Sequence, residues 1–380
     1  MALSPPLKFS SGIPDSYSNR KDGARKEESN GLEERLIPTV WTSLITNEAY
    51  LSGLLTLDHS LKKAGSKYPL VALYTDTFPE SGHAALETRG IPKQRIEYLL
   101  PTKGKDYSAD PRFYDCWSKL APFSLVEYER VVQLDSDMLV RRNMDELMEM
   151  ELDGPELEGK GKRVFAAGHA CVCNPLKKKH YPADWYVPSL SPFSQATIVL
   201  LHLPCGVIRS MKEDARNEFN QRYRIPENCA FTSQHDTPDI AQHTGPDPAV
   251  GPLGFMNGGL QVVNPCTAVY NQIVAHMESE ASNMDFADQS LLSDLYKGRW
   301  VPLPYVYNAL KTLKWVGVHH QIWKDEEVKN VHYILAPKPW DEMDEEGRNV
   351  GTDPTHQWWV DANNERLKLE VEKGLPKDGF

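Results

Sequence analysis

A chain of 380 residues with 40% hydrophobic, 9% aromatic and 25% charged side chains can bury a sizeable core, and it fits no collagenous, repetitive or broadly disordered class. Its 42 Lys and Arg stand against 53 Asp and Glu, and a net charge of −11 repels phosphate polymers, so no nucleic-acid partner is expected. The longest apolar run, residues 196–201, falls far short of the roughly 20 residues that cross a bilayer, so no membrane span is expected. The polar opening stretch has no apolar signal-peptide core and reads as a disordered arm over residues 1–36. Six cysteines, at 116, 171, 173, 205, 229 and 266, are too sparse for a disulfide scaffold; reduced thiols and a cytoplasmic location are the expectation.

Along the chain, β-branched apolar runs alternate with stretches of helical period, the pattern of a largely parallel sheet covered by helices. The spacing predicts a first strand over 38–45, then a helix capped by Asn47 and running to His59. A second strand over 70–74, a helix near 82–89, a short strand over 96–99 and a helix over 117–128 precede a buried strand at 131–134. Residues 138–140 continue apolar, and a helix restarts at 143–147. From about 152 to 251 the pattern breaks into Pro, Gly, Lys and Asn clusters, which reads as a long insertion rather than sheet. Strand character returns at 260–263. After Trp340 an acidic turn leads to a final helix beginning near Pro354, with Trp358, Trp359, Leu367 and Val371 expected to form its packing face. A carbohydrate-stacking platform is the other reading of the paired tryptophans.

The chemistry begins at Asp135-Ser136-Asp137, directly after the 131–134 strand. Ligands of open α/β sheets bind beyond the carboxyl ends of strands, so two carboxylates one residue apart there can both reach a divalent cation such as Mn²⁺ or Mg²⁺. Taken alone, Asp-x-Asp is equally a solvated turn. The apolar flanks argue otherwise, because carboxylates held inside a core are costly unless something positive binds them.

Several ordered motifs together resemble the family 8 glycosyltransferases, the group that includes glycogenin and galactinol synthase. They are Thr46-Asn47-Glu48-Ala49-Tyr50 after the first strand, Lys119-Leu120 followed by Asp135-Ser136-Asp137, Phe255-Met256-Asn257-Gly258-Gly259-Leu260, Asp288-Gln289-Ser290-Leu291-Leu292, Tyr307-Asn308, and His332-Tyr333 with Lys338-Pro339-Trp340. The match runs from about Thr39 to Trp340 and skips the insertion. The resemblance implies a GT-A, Rossmann-like α/β domain over residues 37–345, with the insertion at about 152–251 as an acceptor-side lid and residues 346–380 as a helix packing on it. It also implies a retaining hexosyltransferase that takes a UDP-sugar, with Mn²⁺ or Mg²⁺, and leaves an α-linkage on a small hydroxylated acceptor.

By the same resemblance Asp135, Asp137 and His332 are the metal ligands, with His319 and His320 as rivals to His332. Lys338 reaches the phosphates. Leu44, Thr46, Asn47 and Tyr50 hold uracil, and Ser136 lies near the ribose. Lys119 contacts the donor or else snorkels, and Asn257, Gly258, Gly259, Asp288 and Gln289 line the sugar site. Asp288 or Gln289 serves a double displacement; a front-face route is the alternative. Gly258 stands where the family has Ser or Ala, which would leave room for a larger sugar, and Leu335 stands where glycogenin has a glycine near phosphate.

Rival readings are a non-catalytic sugar-nucleotide scaffold, a self-glucosylating enzyme and a nucleotidyltransferase. The last would need a glycine-rich loop that 46–50 lacks. Residues 309–320 hold no tyrosine, and no long C-terminal tail is expected, so self-glucosylation is disfavoured. A homodimer is compatible with these features. His169, Cys171, Cys173, His180, Cys205, Cys229, His235 and His243 raise a zinc hypothesis. The C-x-C spacing is not a usual zinc pair, however, and buried free thiols are the expectation.

Overall fold

The computed structural model describes residues 39–108, 110–176, 178, 181, 229–247 and 254–380. The expected N-terminal arm, most of the expected insertion, His180 and Cys205 lie outside the described residues. Strand β1 (Thr39–Ile45) is β-branched and buried, and it pairs in parallel with β2 (Leu70–Tyr74) on one side and β4 (Arg130–Leu134) on the other. Helix α1 (Leu51–Lys63) crosses from β1 to β2, α2 (Glu80–Thr88) from β2 to β3 (Lys93–Arg95). The chain then returns past β1 to β4, so the order of winding reverses between β1 and β4. That reversal opens a crevice at their carboxyl ends, where Thr46 and Asp135 begin the next segments.

Beyond β4 the sheet turns mixed. Strand β7 (Met256–Val263) is antiparallel to β4 and to β6 (Phe165–His169), and β8 (Val301–Pro302) closes the order β3-β2-β1-β4-β7-β6-β8. The one polar side chain in fully buried β4 beyond Arg130, Gln133, accepts a hydrogen bond from Thr42 Oγ1 at 2.7 Å, which satisfies a buried carbonyl next to β1. A second, three-stranded sheet of β5 (Met138–Val140), β10 (Asn330–His332) and β9 (Ala309–Leu310) stands beside the crevice. Helices α5 (Thr267–Glu280) and α6 (Ala287–Leu295) pack beside β7 and against each other.

Several expectations are corrected. The strand expected at 96–99 is β3 at Lys93–Arg95, an edge strand whose charged residues hide it from an apolar count. The helix expected over 117–128 is a short α3 (Arg112–Cys116) continued as 3₁₀ turns over Trp117–Ser124, because Pro122 lacks the N–H that a longer α-helix needs. The helix expected at 143–147 is the single turn α4 (Glu146–Glu149). The supposed insertion begins too early at 152: β6 lies within it and is a fully buried strand of the main sheet.

Helix α7 (His356–Glu372) packs back on the domain, but by a different face from the one expected. His356, Trp359, Val360, Asn363 and Arg366 are buried at helical spacing, whereas Leu367 and Val371 are exposed. Asn363 Oδ1 accepts from Thr56 Oγ1 on α1 at 2.9 Å, and Arg89 ties Glu370 and Asp378 at 2.8 and 2.6 Å. Trp359 is fully buried, so it is no carbohydrate platform, and Trp358 lies under the Arg141 guanidinium at 3.6 Å. Trp359→Ala is expected to cost about 3–5 kcal/mol in urea unfolding. Val371→Ala should stay within about 0.5 kcal/mol; equal losses would contradict this packing.

Candidate active site

The site forms where the two sheets meet. Asp135 follows β4, and its backbone N–H donates to Gly259 O at 2.8 Å, which fixes the turn against β7. Residue pairing between β5 and β10 sets His332 opposite Met138, and Tyr333 N–H donates to Asp137 O at 2.9 Å. This register puts the imidazole next to the second carboxylate. His332 Nε2 lies 3.6 Å from Asp135 Oδ2 and 3.4 Å from Asp137 Oδ1, and one ligand atom from each of the three residues falls within 4.8 Å of the others. Two carboxylates and an imidazole make a donor set suited to Mn²⁺ or Mg²⁺, and their convergence fits such an ion.

The sequence motif Tyr307-Asn308 carried no assigned role, yet Asn308 organises the imidazole. Its Oδ1 lies 2.9 Å from His332 Nδ1, and its Nδ2 donates to Asn257 Oδ1 at 2.9 Å. With Nδ1–H donating to Asn308, Nε2 is left with its lone pair toward the carboxylates. Asn308 is buried, and nothing in the spacing showed that it would meet His332 across the chain.

Two lysines face the carboxylates. Lys119 Nζ donates to Asp135 Oδ2 at 2.7 Å; Lys338 Nζ donates to Asp137 Oδ2 at 2.5 Å and to Tyr333 O at 2.7 Å. Lys119 therefore points into the site rather than snorkelling. Burial alone would raise the Asp137 carboxyl, but Lys338 and His332 outweigh it and hold it well below the usual range. Burial opposes the Lys119 charge, and Asp135, Cys116 and Asp288 overcome that to raise the ammonium well above its ordinary value.

Leu44, Thr46, Asn47, Tyr50, Ser136, Asn257, Asp288, Gln289 and Leu335 line the same cleft with the metal set and both lysines. Asn47 caps the turn before α1 by accepting from Ala49 N–H at 3.0 Å, and Thr46 Oγ1 donates to Asp115 Oδ2 at 2.9 Å. Tyr50 stands edge-on to Trp340, with ring centres 5.7 Å apart, and Trp340 in turn meets Trp359 of α7 at 5.4 Å. Asp115 and the exposed Arg112, which pairs with Asp110 at 2.6 Å, also reach the cleft and were missed, because their short helix carries no motif. His319 does not line the cleft: it sits with a group of cysteines, of which Cys171 reaches the cleft wall.

Gly258 and Gly259 form the wall beneath the site rather than its lining. A Cβ on Gly259 would stand 2.3 Å from His332 Cε1, so the imidazole needs a glycine there. A Cβ on Gly258 would stand 2.1 Å from Asp288 Oδ2. The space expected beside a larger sugar is thus filled by the Asp288 carboxylate. Gln289 Oε1 accepts from Asn257 Nδ2 at 3.0 Å and from Gly258 N–H at 2.9 Å, which commits its lone pairs to the wall. Leu335 lies in the left-handed backbone region, with φ of 63°, a costly conformation for a leucine at the rim of a site.

No family model matches the chain. Among curated relatives, it is similar to galactinol synthase 1 of Ajuga reptans, 24% identical over 338 residues that cover 88% of this chain and 84% of the relative. The solved glycosyltransferase GlyE of Streptococcus pneumoniae TIGR4 matches with 15% identity and a TM-score of 0.46, covering 89% of this chain and 65% of that one. The bifunctional glycosyltransferase WbbM matches with 15% identity and a TM-score of 0.50 over 91% of this chain. This chain spans about half of WbbM, 53% of its length. The chain is a glycosyltransferase of the GT-A fold. More particularly, it is a homologue of the galactinol synthases, which bears out the family resemblance carried by its motifs.

Asp288 generates a pH prediction. Burial, opposed by Lys119 and reinforced by Asp135, raises its carboxyl from 3.8 to about 7. Between those values the folded chain holds a proton that the unfolded chain has lost, so its contribution to stability is full below the lower value and is lost as pH rises toward the upper one. With metals chelated, the stability difference between the wild type and Asp288→Asn should shift steadily against the wild type from pH 4 to pH 7 in urea titrations. A difference independent of pH would contradict the placement.

Proposed function

We propose that the chain transfers a hexosyl group from a UDP-sugar, bound with Mn²⁺ or Mg²⁺, to a small hydroxylated acceptor with retention, leaving an α-linkage. The observation that carries this reading is the convergence of Asp135, Asp137 and His332 with Lys119 and Lys338 in one cleft at the switch point of the sheet. A diphosphate leaving group needs counter-charge, and in a chain of net charge −11 it must be supplied locally. Asp135, Asp137 and His332 would hold the metal. When bound, the metal supplies Lewis-acid stabilisation to the departing diphosphate.

The remaining work falls to the chain's own side chains. Each carboxylate is matched by a lysine. With Asp137 as a metal ligand, Lys338, held by Tyr333 O, would direct its ammonium to the phosphate oxygens as a point charge. Leu44, Thr46, Asn47 and Tyr50 receive the uracil, Ser136 the ribose, and Asn257 and Asp288 the sugar hydroxyls. Gln289 Oε1 already accepts two hydrogen bonds, and the buried Asp288 carboxyl, pushed up to about 7, holds its proton below that pH, so both are poor nucleophiles for a double displacement. We therefore favour the front-face route. The bond from the sugar's C1 to the phosphate oxygen breaks, the acceptor oxygen bonds C1 on the same face, and the acceptor's proton passes to the leaving phosphate oxygen.

A diffusible acceptor fits the tyrosines better than self-glucosylation does. Tyr305 and Tyr333 are buried, with Tyr305 Oη accepting from Lys324 N–H at 2.9 Å and Tyr333 Oη donating to Thr355 O at 3.0 Å. Tyr307 Oη donates to Glu146 Oε1 at 2.8 Å. The name of the galactinol synthases likewise gives a small-molecule product. A scaffold without catalysis would have no use for two lysines trained on a metal set.

Two outcomes follow. With metal present, Lys338→Ala should lower kcat more than it raises the donor KM, by about 2–4 kcal/mol in barrier; a pure KM effect would reject the role of Lys338. Intact-protein mass spectrometry after incubation with UDP-glucose or UDP-galactose and Mn²⁺ should show no added hexose. A ladder abolished by Asp137→Asn would make the chain its own acceptor.

A further inference from the structure

Behind the wall of the cleft lies a second cluster that glycosyl transfer does not use. Cys171 and Cys173 follow β6, Cys229 precedes the 3₁₀ turn Ala230–Gln234, and His319 sits in the turns after the 3₁₀ segment Lys311–Lys314. All four side chains are buried, and one ligand atom from each lies within 4.8 Å of the others. His319 Nε2 stands 3.1 Å from Cys173 Sγ and 3.3 Å from Cys229 Sγ.

We propose that Cys171, Cys173, Cys229 and His319 form a closed structural zinc site. Zinc–sulfur bonds of about 2.3 Å and a zinc–nitrogen bond of about 2.0–2.1 Å give a tetrahedron with edges of about 3.6–3.8 Å, a few tenths of an ångström wider than the two nitrogen–sulfur separations and inside the 4.8 Å that spans all four ligand atoms. Three soft sulfurs and one imidazole select zinc over the hard cations suited to Asp135 and Asp137. Four protein ligands fill a tetrahedron and leave no open position for a substrate, which marks the site as structural.

The orientation of the imidazole is already set. His319 Nδ1 lies 2.8 Å from His235 Nε2, and a proton on Nδ1 donated to His235 leaves the Nε2 lone pair facing the sulfurs. The Phe231 ring packs 5.6 Å from His319 and helps to close the site. On binding, the three thiols give up three protons, and Zn²⁺ takes three thiolates and the neutral imidazole. The sequence alone points to free thiols here, because C-x-C is an unusual zinc spacing, and it offers His319 only as a rival to His332 at the other metal. His169 and His243 are not part of the cluster.

The location gives the zinc a purpose. Cys173 and Cys229 lie 146 and 90 residues before His319, so one ion would tie together three segments that are distant in sequence. Cys171 and Ala170 also line the glycosyl-transfer cleft, so the same ion would stiffen its wall.

The test uses the full chain, expressed with zinc and purified without chelator. Elemental analysis should find about one zinc per chain, retained in Asp137→Asn and lost in the double variant Cys173→Ser, Cys229→Ser. Cobalt substitution of the wild type should give thiolate-to-cobalt charge-transfer absorption and the intense visible bands of tetrahedral cobalt; this arm holds even where the double variant fails to fold. Alkylation should reach Cys171, Cys173 and Cys229 only after a strong chelator is added, and chelation should lower Tm. Absence of bound zinc with those thiols readily alkylated, zinc retained by a folded double variant, a cobalt spectrum without thiolate bands, or a native disulfide among the three cysteines would each overturn the proposal.

Discussion

Two lysine–carboxylate pairs, the half-buried Lys119 with Asp135 and the buried Lys338 with Asp137, are what the rest of the cleft is arranged around. Removing one partner of the buried Lys338–Asp137 pair leaves an uncompensated charge in a poorly solvated place, at a cost of about 3–5 kcal/mol. The fold meets that constraint by delivering its charges from three different elements: the 3₁₀ segment before β4, the turn after β4, and the loop that follows β10. Each pair also stores a use. A carboxylate neutralised by a lysine could exchange that partner for a stronger cation, and the ammonium would then be free to meet an anion bound beside it. Metal set and phosphate set are thereby prepared by the same contacts.

Support for the loop that carries Lys338 comes from an unexpected distance. Trp340 is clamped between Tyr50, at the start of α1, and Trp359, on the buried face of α7. The terminal helix, itself fixed by Asn363 and Arg89, thus braces the residues that position the ammonium. Apolar packing at the back of the domain and charge balance at its front are linked through one indole ring.

The sequence conveyed the parts whose signals are local. Apolar β-branched runs located β1, β2, β4 and β7, and the order of motifs pointed to the GT-A fold and brought Asp135, Asp137, His332 and Lys338 together as one set. What stayed illegible depends on contacts between distant segments. Asn308 orients His332 through a sheet register that no spacing reveals, and the Asp288 carboxylate fills the gap that Gly258 seemed to leave open. His319 joins Cys171, Cys173 and Cys229 from the far side of the chain. Edge strand β3 and the proline-interrupted turn over Trp117–Ser124 escaped for another reason: there, charge and Pro122 override the apolar pattern. Strand β6 was hidden by the irregular residues on both sides of it.

The most direct test of the central claim is titration calorimetry of UDP with the metal-free chain, with and without Mn²⁺. The account predicts heat of binding that requires the ion and disappears with excess chelator or in Asp137→Asn, because the carboxylates otherwise retain the lysines that a diphosphate needs. Undiminished UDP affinity in chelator would contradict it, since the diphosphate would then be held without the ion that Asp135, Asp137 and His332 are arranged to bind.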